Sequence, residues 1–433
     1  MNIVKNENYD VIVVGGGPAG CAAAVASSRR GSRTLLIEGS YSLGGMATSG
    51  LVTSFAPLGD GVRRIYCGIA EEIVRASNKV AFGVNEEDIG WLPISPEHFK
   101  SILDDIVTQS GADVLFGTQI CGAEGEGGKV RSILAANKNG LCEYSAKIFV
   151  DCTGDGDVAA FAGAEFEMGG EDGELQPASL CFVLTGVNTE TYNGAKVYGG
   201  NPESPIYKIL ELGDKYPLIM DTHLCVSVIW PGTVAFNAGH VMDADATDTE
   251  NVSRSIIQGR KLAQQFRDAL AEVDPETFGN SYLVATAPML GIRESRRIIG
   301  EYVLTFEDYV ARRTFEDEIA RNCYYVDIHK TRHARSAERQ SESEMCSYEK
   351  GESHGIPFRC LIPRGFSNLL VAGRPISCDR AVMGSTRVMP NCFTTGEAAG
   401  VAASMAAERG VSVQQIDVQK LRDILKKNGA YIF

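Results

Sequence analysis

Several groups of residues in this chain have the types and spacing to do chemistry. Gly15-Gly16-Gly17-Pro18-Ala19-Gly20 contains G-x-G-x-x-G, and Glu38 follows eighteen residues after Gly20. In such a pattern the first glycine permits a tight turn, the second lets the main chain approach a diphosphate, and the third lets a helix pack closely on a strand. The helix start beyond it presents free N–H groups and positive partial charge to that anion, and an acid placed like Glu38 can hold a ribose hydroxyl pair. Asp327-Ile328-His329 puts an acid and an imidazole on one face of a strand. That is either an oriented acid–base pair or a structural histidine satisfied by its neighbour. Arg293, Arg296 and Arg297 surround Glu294 in an apolar stretch from Ala287 to Ile299. They can clamp a substrate carboxylate or carbonyl by bidentate hydrogen bonds, or form interdomain salt bridges with Glu294. Arg387, between Ser385 and Pro390, is a further cation for such a site. His223 and His240 flank a strand that starts at Leu224 and either line a substrate face or are structural. Arg293, His329 and Arg387 are therefore the candidate catalytic residues.

These groups need a scaffold. Tyr9 to Val14 is a continuous apolar run, as in a strand buried on both faces of a parallel sheet. An Ala-rich helix, Ala19 to Arg30, and a second strand, Thr34 to Glu38, complete one βαβ unit. Helices follow near Gly68 to Ser77 and from Ser95-Pro96-Glu97 to about Ser110, the latter opened by a cap, Pro at N1 and an acid in the first turn. Ala112 to Val150 reads as an antiparallel meander returning into a buried strand, Ile148 to Asp151. Glu171 to about Gly351 mixes strand-like pieces (Leu224 to Trp230) with longer helical ones (Val252 to Val273). Pro357 to Pro363 and Asn368 to Gly373 are strand-like again, and Thr394 to Arg409 is a small-residue helix. The expected fold class is α/β, a Rossmann-type dinucleotide-binding domain with an inserted α+β substrate domain. Its segments are 1–170, 171–351 for the insertion, and 352–433 for the completion of the first domain.

The choice of FAD over NAD rests on the residues beyond Glu38. Ser42 to Thr48 carries a second glycine pair, Gly44-Gly45, and Met46, where the main chain can pass a longer cofactor; an NAD domain would continue with regular βα units. Two later turns fit the same cofactor. Asp151 to Asp157 packs Asp155 and Gly154 into a tight acidic turn after a buried strand. Leu369 to Arg374 supplies Gly373 and Arg374, followed by Gly384 to Pro390 with Arg387 and Val388. The helix led by Thr394 then points a positive end at the pyrimidine side of a flavin, where Arg387 faces the ring oxygens. The cofactor-binding set is thus Gly15, Gly17, Pro18, Ala19, Gly20, Glu38, Gly44, Gly45, Met46, Ile120 in the meander, Gly154, Asp155, Gly373, Arg374, Arg387 and Val388.

Composition narrows the class. Of 433 residues, 41 are Lys or Arg and 55 are Asp or Glu, giving a net charge of −14. Such a surface repels polyphosphate and disfavours nucleic-acid partners. No apolar run reaches the roughly 18 residues that cross a bilayer. Met1 to Asn8 are polar apart from Ile3 and Val4, which leaves no room for a secretory leader, so the expected place is the cytoplasm. The 12 cysteines include no C-x-x-C and read as reduced, buried small side chains. Cys378 and Cys392 can lie near the ring, without sign of a catalytic disulfide, and no metal site is expected.

With these motifs in hand, the chain resembles the FAD-dependent oxidoreductases of the glutathione-reductase-like superfamily. Within it the chain is similar to the bacterial FAD-dependent oxidoreductase family, some members of which are loosely called xanthan-lyase-related. The similarity runs through Val14 to Gly20, Leu43 to Met46, Asp151 to Asp157, Gly291 to Arg297, Asp327 to His329, Ile356 to Pro363, Asn368 to Arg374 and Gly396 to Gly400. It implies FAD held by the two terminal segments and a substrate domain supplied by the middle. One departure is His354, before Gly355, where the family pattern has Tyr; if that position lines the site, substrate choice differs. Only one dinucleotide fingerprint is visible, so the expected reaction is direct hydride exchange between a small polar metabolite and flavin N5, with an unknown electron acceptor. Other readings are a subunit passing electrons to a partner protein, a tRNA-modifying relative (against the acidic surface), and a sensor in which FAD is structural. A homo-oligomer is compatible with the chain.

Overall fold

The computed structural model describes residues 4–171, 173–329, 331 and 347–433. The first three residues of the polar N-terminal segment, and parts of segment 171–351, therefore lie outside the described residues. Strand β1 (Val4–Val14) is followed by helix α1 (Pro18–Arg29) and strand β2 (Thr34–Ile37). Val11, Ile12, Val13, Leu36 and Ile37 are all buried, which is why this apolar run forms a central strand pair instead of a half-exposed one. Each such side chain contributes roughly 1.5–3 kcal/mol of apolar burial.

A seven-stranded sheet is built around this pair. Strand β3 (Asp113–Leu115) runs parallel beside β2. The meander expected from Ala112 thus starts later. The helix Pro96–Gln109 acts as a crossover and returns the chain parallel before any hairpin forms. Strands β4 (Gln119–Glu126), β5 (Lys129–Asn137) and β6 (Gly140–Asp151) then make the antiparallel meander. The final residues of β6 continue into the parallel sheet, between β1 and the strand that follows His354 by fifteen residues, Leu369–Val371. The C-terminal ends of β1, β2, β6 and that strand therefore open onto one crevice, the place where α/β sheets bind ligands.

The middle of the chain supplies a second, antiparallel sheet. Its strands β7 (Phe182–Thr185), β8 (Leu224–Trp230), β9 (Thr233–Ala238) and β10 (Tyr282–Thr286) lie in the order β8-β9-β7-β10. Phe182 stacks on Phe236 and on Phe266 of the helix Thr249–Val273, which covers one face. Leu304, Tyr309, Phe315, Ile319 and Ala320, although within segment 171–351, pack into the same core cluster as α1. The strand expected over Pro357 to Pro363 is replaced by a strand at His354–Pro357 and a 3-10 turn at Phe358–Leu361. Phe358, Cys360, Leu361 and Ile362 are all buried, so the run lacks the alternation a half-buried strand needs. The last long helix, α2 (Met389–Arg409), starts five residues before Thr394, with Pro390 in its first turn, where a missing N–H is harmless. Before it, the run from Gly384 continues a short helix, Arg380–Thr386.

Candidate active site

The phosphate turn comes first. Gly15 has φ +94, and a Cβ there would collide with the Cys152 carbonyl; a Cβ on Gly20 would collide with Gly15 O. The turn is therefore tied to the end of β6 as closely as main chains can approach. Gly17, by contrast, is extended (φ −71, ψ −173) and caps α1 with no side-chain hydrogen bond. A Cβ built on it meets nothing within 4 Å. An uncapped helix start facing open space is the arrangement a diphosphate fills. Glu38 directly follows the second strand beneath it: Oε2 accepts from Gly16 N at 2.6 Å and Oε1 from Ser40 N at 2.7 Å. Each oxygen keeps a lone pair for a ribose hydroxyl.

The other predicted cofactor residues fall around this turn with different partners. Gly44 N donates to Gly16 O at 2.8 Å, and a Cβ on Gly45 would lie 3.1 Å from Gly17 Cα, so the second glycine pair abuts the first. Met46 lies in the 3-10 turn that Gly45 opens. Asp155 is not a free carboxylate: Arg374 Nη2 donates to its Oδ1 at 2.7 Å, and Arg296 pairs with Asp157 at 2.8 Å. The acidic turn is thus neutralised. Gly154, left-handed like Gly15, sits against Arg374, and Gly373 N donates to Thr395 Oγ1 of α2. Val388 is the N-cap of α2. Ile120 packs in the cluster with Ile12, Val14 and Leu35.

The candidate catalytic residues converge. Arg387 Nη2 donates to Asp327 O at 2.7 Å and reaches Asp327 Oδ2 at 3.4 Å, while its Nη1 donates to the Arg293 carbonyl at 3.1 Å. Both its terminal nitrogens thus serve protein oxygens, although the sequence pattern aims them at flavin oxygens. His329 Nε2 lies 3.4 Å from Asp327 Oδ1. Arg293 points away from Glu294, which instead holds Arg297 and Arg380 in a buried cluster. The three arginines have therefore divided: one faces the site and two serve structure.

Arg293 Nη1 donates to Pro177 O and Ser179 Oγ, and Nη2 approaches His223 Nε2 at 3.3 Å and Asn237 Oδ1 at 3.4 Å. All four are neutral acceptors. Burial, with Arg387 nearby, lowers its pKa to about 10, which leaves it charged at neutral pH. The same burial lowers His329 to about 3, with Arg293 adding to it and Asp327 opposing. Burial raises Asp327, but the neighbouring His329 and the Arg387 and Arg293 cations outweigh it, and the acid lies below the usual range. His223 is pushed well below 6.5 by burial and by Arg293. The site thus combines cations, one ionised acid and unprotonated imidazoles.

The hairpin β8–β9 explains two of these positions. Leu224 pairs with Ala238, so the residues just outside, His223 and His240, must meet at its open end; their rings stack at 4.5 Å. Sequence reasoning finds both histidines but misses Asp221, whose Oδ1 accepts from His223 N and whose Oδ2 pairs with His240 Nδ1 at 2.7 Å. The available signal was the spacing Asp221-Thr222-His223, which repeats the Asp-x-His of residues 327–329. Ser295, also missed, joins the two halves of the crevice: its Oγ accepts from Arg374 Nη1 at 3.1 Å, two residues from Arg293. His354 is buried between Tyr309 and Tyr348, with its Nδ1 2.6 Å from the Tyr348 hydroxyl, so this departure serves packing.

Among the described residues no helix is long and apolar enough to cross a membrane. The digeranylgeranylglycerophospholipid reductase of Thermoplasma volcanium is 29% identical over 158 residues, 34% of this chain and 40% of that enzyme. The chain thus matches less than half the length of that curated relative. A tRNA uridine 5-carboxymethylaminomethyl modification enzyme from Desulfitobacterium hafniense is 52% identical over 62 residues, 12% of this chain and 10% of that protein. The crystal structure of a geranylgeranyl bacteriochlorophyll reductase-like protein from Thermoplasma acidophilum has the same fold: TM-score 0.51 at 15% identity, over 98% of this chain and 85% of that one. Residues 10–425 match the FAD dependent oxidoreductase family, nearly the whole chain and both halves of the crevice. The protein belongs to that family.

Proposed function

We propose that this enzyme oxidises or reduces a small polar, anionic metabolite in the cytoplasm, at the cluster of Arg293, His329 and Arg387. One observation carries the reading: a half-buried guanidinium, Arg293, hydrogen-bonded only to neutral groups, with no carboxylate at ion-pair distance among the described residues. A charge partly withdrawn from water without a counter-ion is costly, and a substrate carboxylate or oxyanion would remove that cost. When bound, FAD supplies hydride exchange at N5, and an acceptor outside this chain completes the cycle. Gly15, Gly17, Ala19 and Gly20 would hold the diphosphate, Glu38 the ribose, and Gly44, Gly45, Gly154, Gly373 and the start of α2 the rest of the cofactor. Arg293 orients the substrate anion. Arg387 is braced by Asp327 and fixes the Arg293 main chain. His329, unprotonated at neutral pH, exchanges the substrate's proton. Segment 171–351 contributes Asp221, His223, His240 and Asn237, and so acts as the substrate-binding part.

The direct test is anaerobic mixing of the holoenzyme with hydroxy acids, oxo acids and neutral polyols, following the visible flavin band. Bleaching by hydroxy acids but not by neutral polyols is expected. Bleaching confined to neutral or strongly apolar substrates would overturn the reading.

A further inference from the structure

Beside the candidate site lies a row of four side chains: Asp221, His240, His329 and Asp327. His240 Nδ1 is 2.7 Å from Asp221 Oδ2, His240 Nε2 is 2.8 Å from His329 Nδ1, and His329 Nε2 is 3.4 Å from Asp327 Oδ1. Three links between two acceptor-only carboxylates require three protons, and two imidazoles own two when both are neutral. One link must lack its proton. Both carboxylates accept only, so the contact lengths decide: the 2.7 Å contact with Asp221 takes the His240 proton on Nδ1, and the 2.8 Å contact is His329 Nδ1–H donating to His240 Nε2. The unprotonated atom is His329 Nε2, and the link it belongs to is the longest of the three. His223 stands outside the row. Its ring lies parallel to His240, 18° between planes, and its Nε2 faces Arg293. The three imidazoles come within 4.8 Å of one another, but the lone pairs of stacked rings do not converge on one point, and a guanidinium already lies against one of them. The row is built for a proton more than for a metal.

We propose that Asp221 and His240 are positioning residues that hold His329 in the tautomer with its Nε2 lone pair open toward Asp327, which makes Nε2 the proton acceptor of the site. The inference rests on the reading of this cluster as the substrate site. A proton leaving a substrate O–H lands on Nε2, against the Asp327 carboxylate, and fills the vacant link; the row passes from charge −2 to −1. The groups facing His329 are Arg293, Arg387, Asp327, His223 and His240, with the Gln176 side chain on its backbone N–H. The two cations keep the resting row in its two-proton form, while Asp327 lies where the new charge develops.

The test uses the holoenzyme with imidazole ¹⁵N labels, its six histidines assigned through single His→Gln variants. At neutral pH the His329 Nε2 resonance is expected at the position of an unprotonated ring nitrogen, and Nδ1 at that of a protonated one. In Asp221→Asn the amide can donate to His240 Nδ1. Both rings then reverse, His329 Nε2 becomes protonated, and substrate-linked bleaching slows about 10–100-fold with KM unchanged, the size usual for residues that orient a reacting neighbour. Asp221→Glu is expected to restore the native tautomer. An imidazolium at His240 or His329 in the resting protein, an unchanged His329 tautomer in Asp221→Asn, or stoichiometric Zn²⁺ uptake by the three rings would overturn the proposal. The resting spectrum needs neither turnover nor a variant, so it decides even if Asp221→Asn fails to fold. Because it involves no substrate, its failure is distinct from absence of bleaching by any hydroxy acid, which would sink the functional reading instead.

Discussion

Gly17 and Arg293 are single positions at which the two halves of the site can be separated. Gly17 has an extended backbone that any residue adopts, and a side chain there would enter open space in front of α1 instead of the core. Gly17→Val is therefore expected to fold with native circular dichroism yet lose FAD affinity at least about tenfold, some 1.4 kcal/mol. Titration of apoprotein with FAD measures it, and wild-type affinity would show that the diphosphate lies elsewhere. Arg293 touches none of the cofactor residues through its side chain; only its carbonyl meets Arg387. Arg293→Ala should cost roughly 2 kcal/mol of substrate interaction, about 30-fold in the rate of substrate-linked flavin reduction, with FAD retention little changed. Equal losses in both, or none in the rate, would take Arg293 out of the site.

At the scale of elements, the crevice depends on how closely two helices approach. A Cβ on Gly396 of α2 would collide with the Ala19 carbonyl of α1, and one on Gly400 with that of Ala23. The contact is backbone to backbone, so neither side can yield by changing a rotamer. Gly400 lies about three turns into α2 from its start at Met389, away from the end that faces Gly373, which makes it the cleaner probe of packing. Gly400→Ala is expected to lower stability by about 1–3 kcal/mol, despite the better helix propensity of Ala, because overpacking outweighs it. The urea midpoint gives the answer; an unchanged or higher midpoint would mean that the helices can separate at little cost. The small residues of both helices are plain in the sequence. Their pairing is not, because Ala19 and Gly396 lie far apart along the chain, and only the sheet on which both pack brings α1 and α2 into register.

At the scale of the molecule, buried neutral histidines tie stability to pH. Burial holds His354, like His329, at about 3, against the ordinary 6.5 of an unfolded chain. Between those values the unfolded chain binds a proton that the fold refuses, so stability falls as pH falls below 6.5, and is untouched above it. For His354, buried under Tyr309 and Tyr348, the loss amounts to about 2 kcal/mol by pH 5. Wild type should therefore lose about that much more stability than His354→Gln between pH 7.5 and pH 5, measured by urea unfolding at both; parallel losses would place a charged His354 in the fold. Much of this architecture was legible in the chain itself. The apolar run to Val14, the glycine turn, Glu38 and the later glycines are local signals, since a tight turn and a buried parallel strand each impose their residue types within a few positions. The boundaries that went astray, at Asp113, Pro357 and Thr394, lie where a crossover or a packed core overrides local pattern. The site is a sharper case. Arg293, Arg296 and Arg297 are indistinguishable in sequence, and only the fold sends the first to Ser179 and the third to Glu294. Asp221 and His240 meet His329 because an antiparallel hairpin closes against a segment some ninety residues away. Residue types alone determined that an FAD diphosphate could be held here. The protonation of the imidazoles and the direction of each guanidinium were decided by burial and by neighbours from distant segments, and these exist only once the chain has folded.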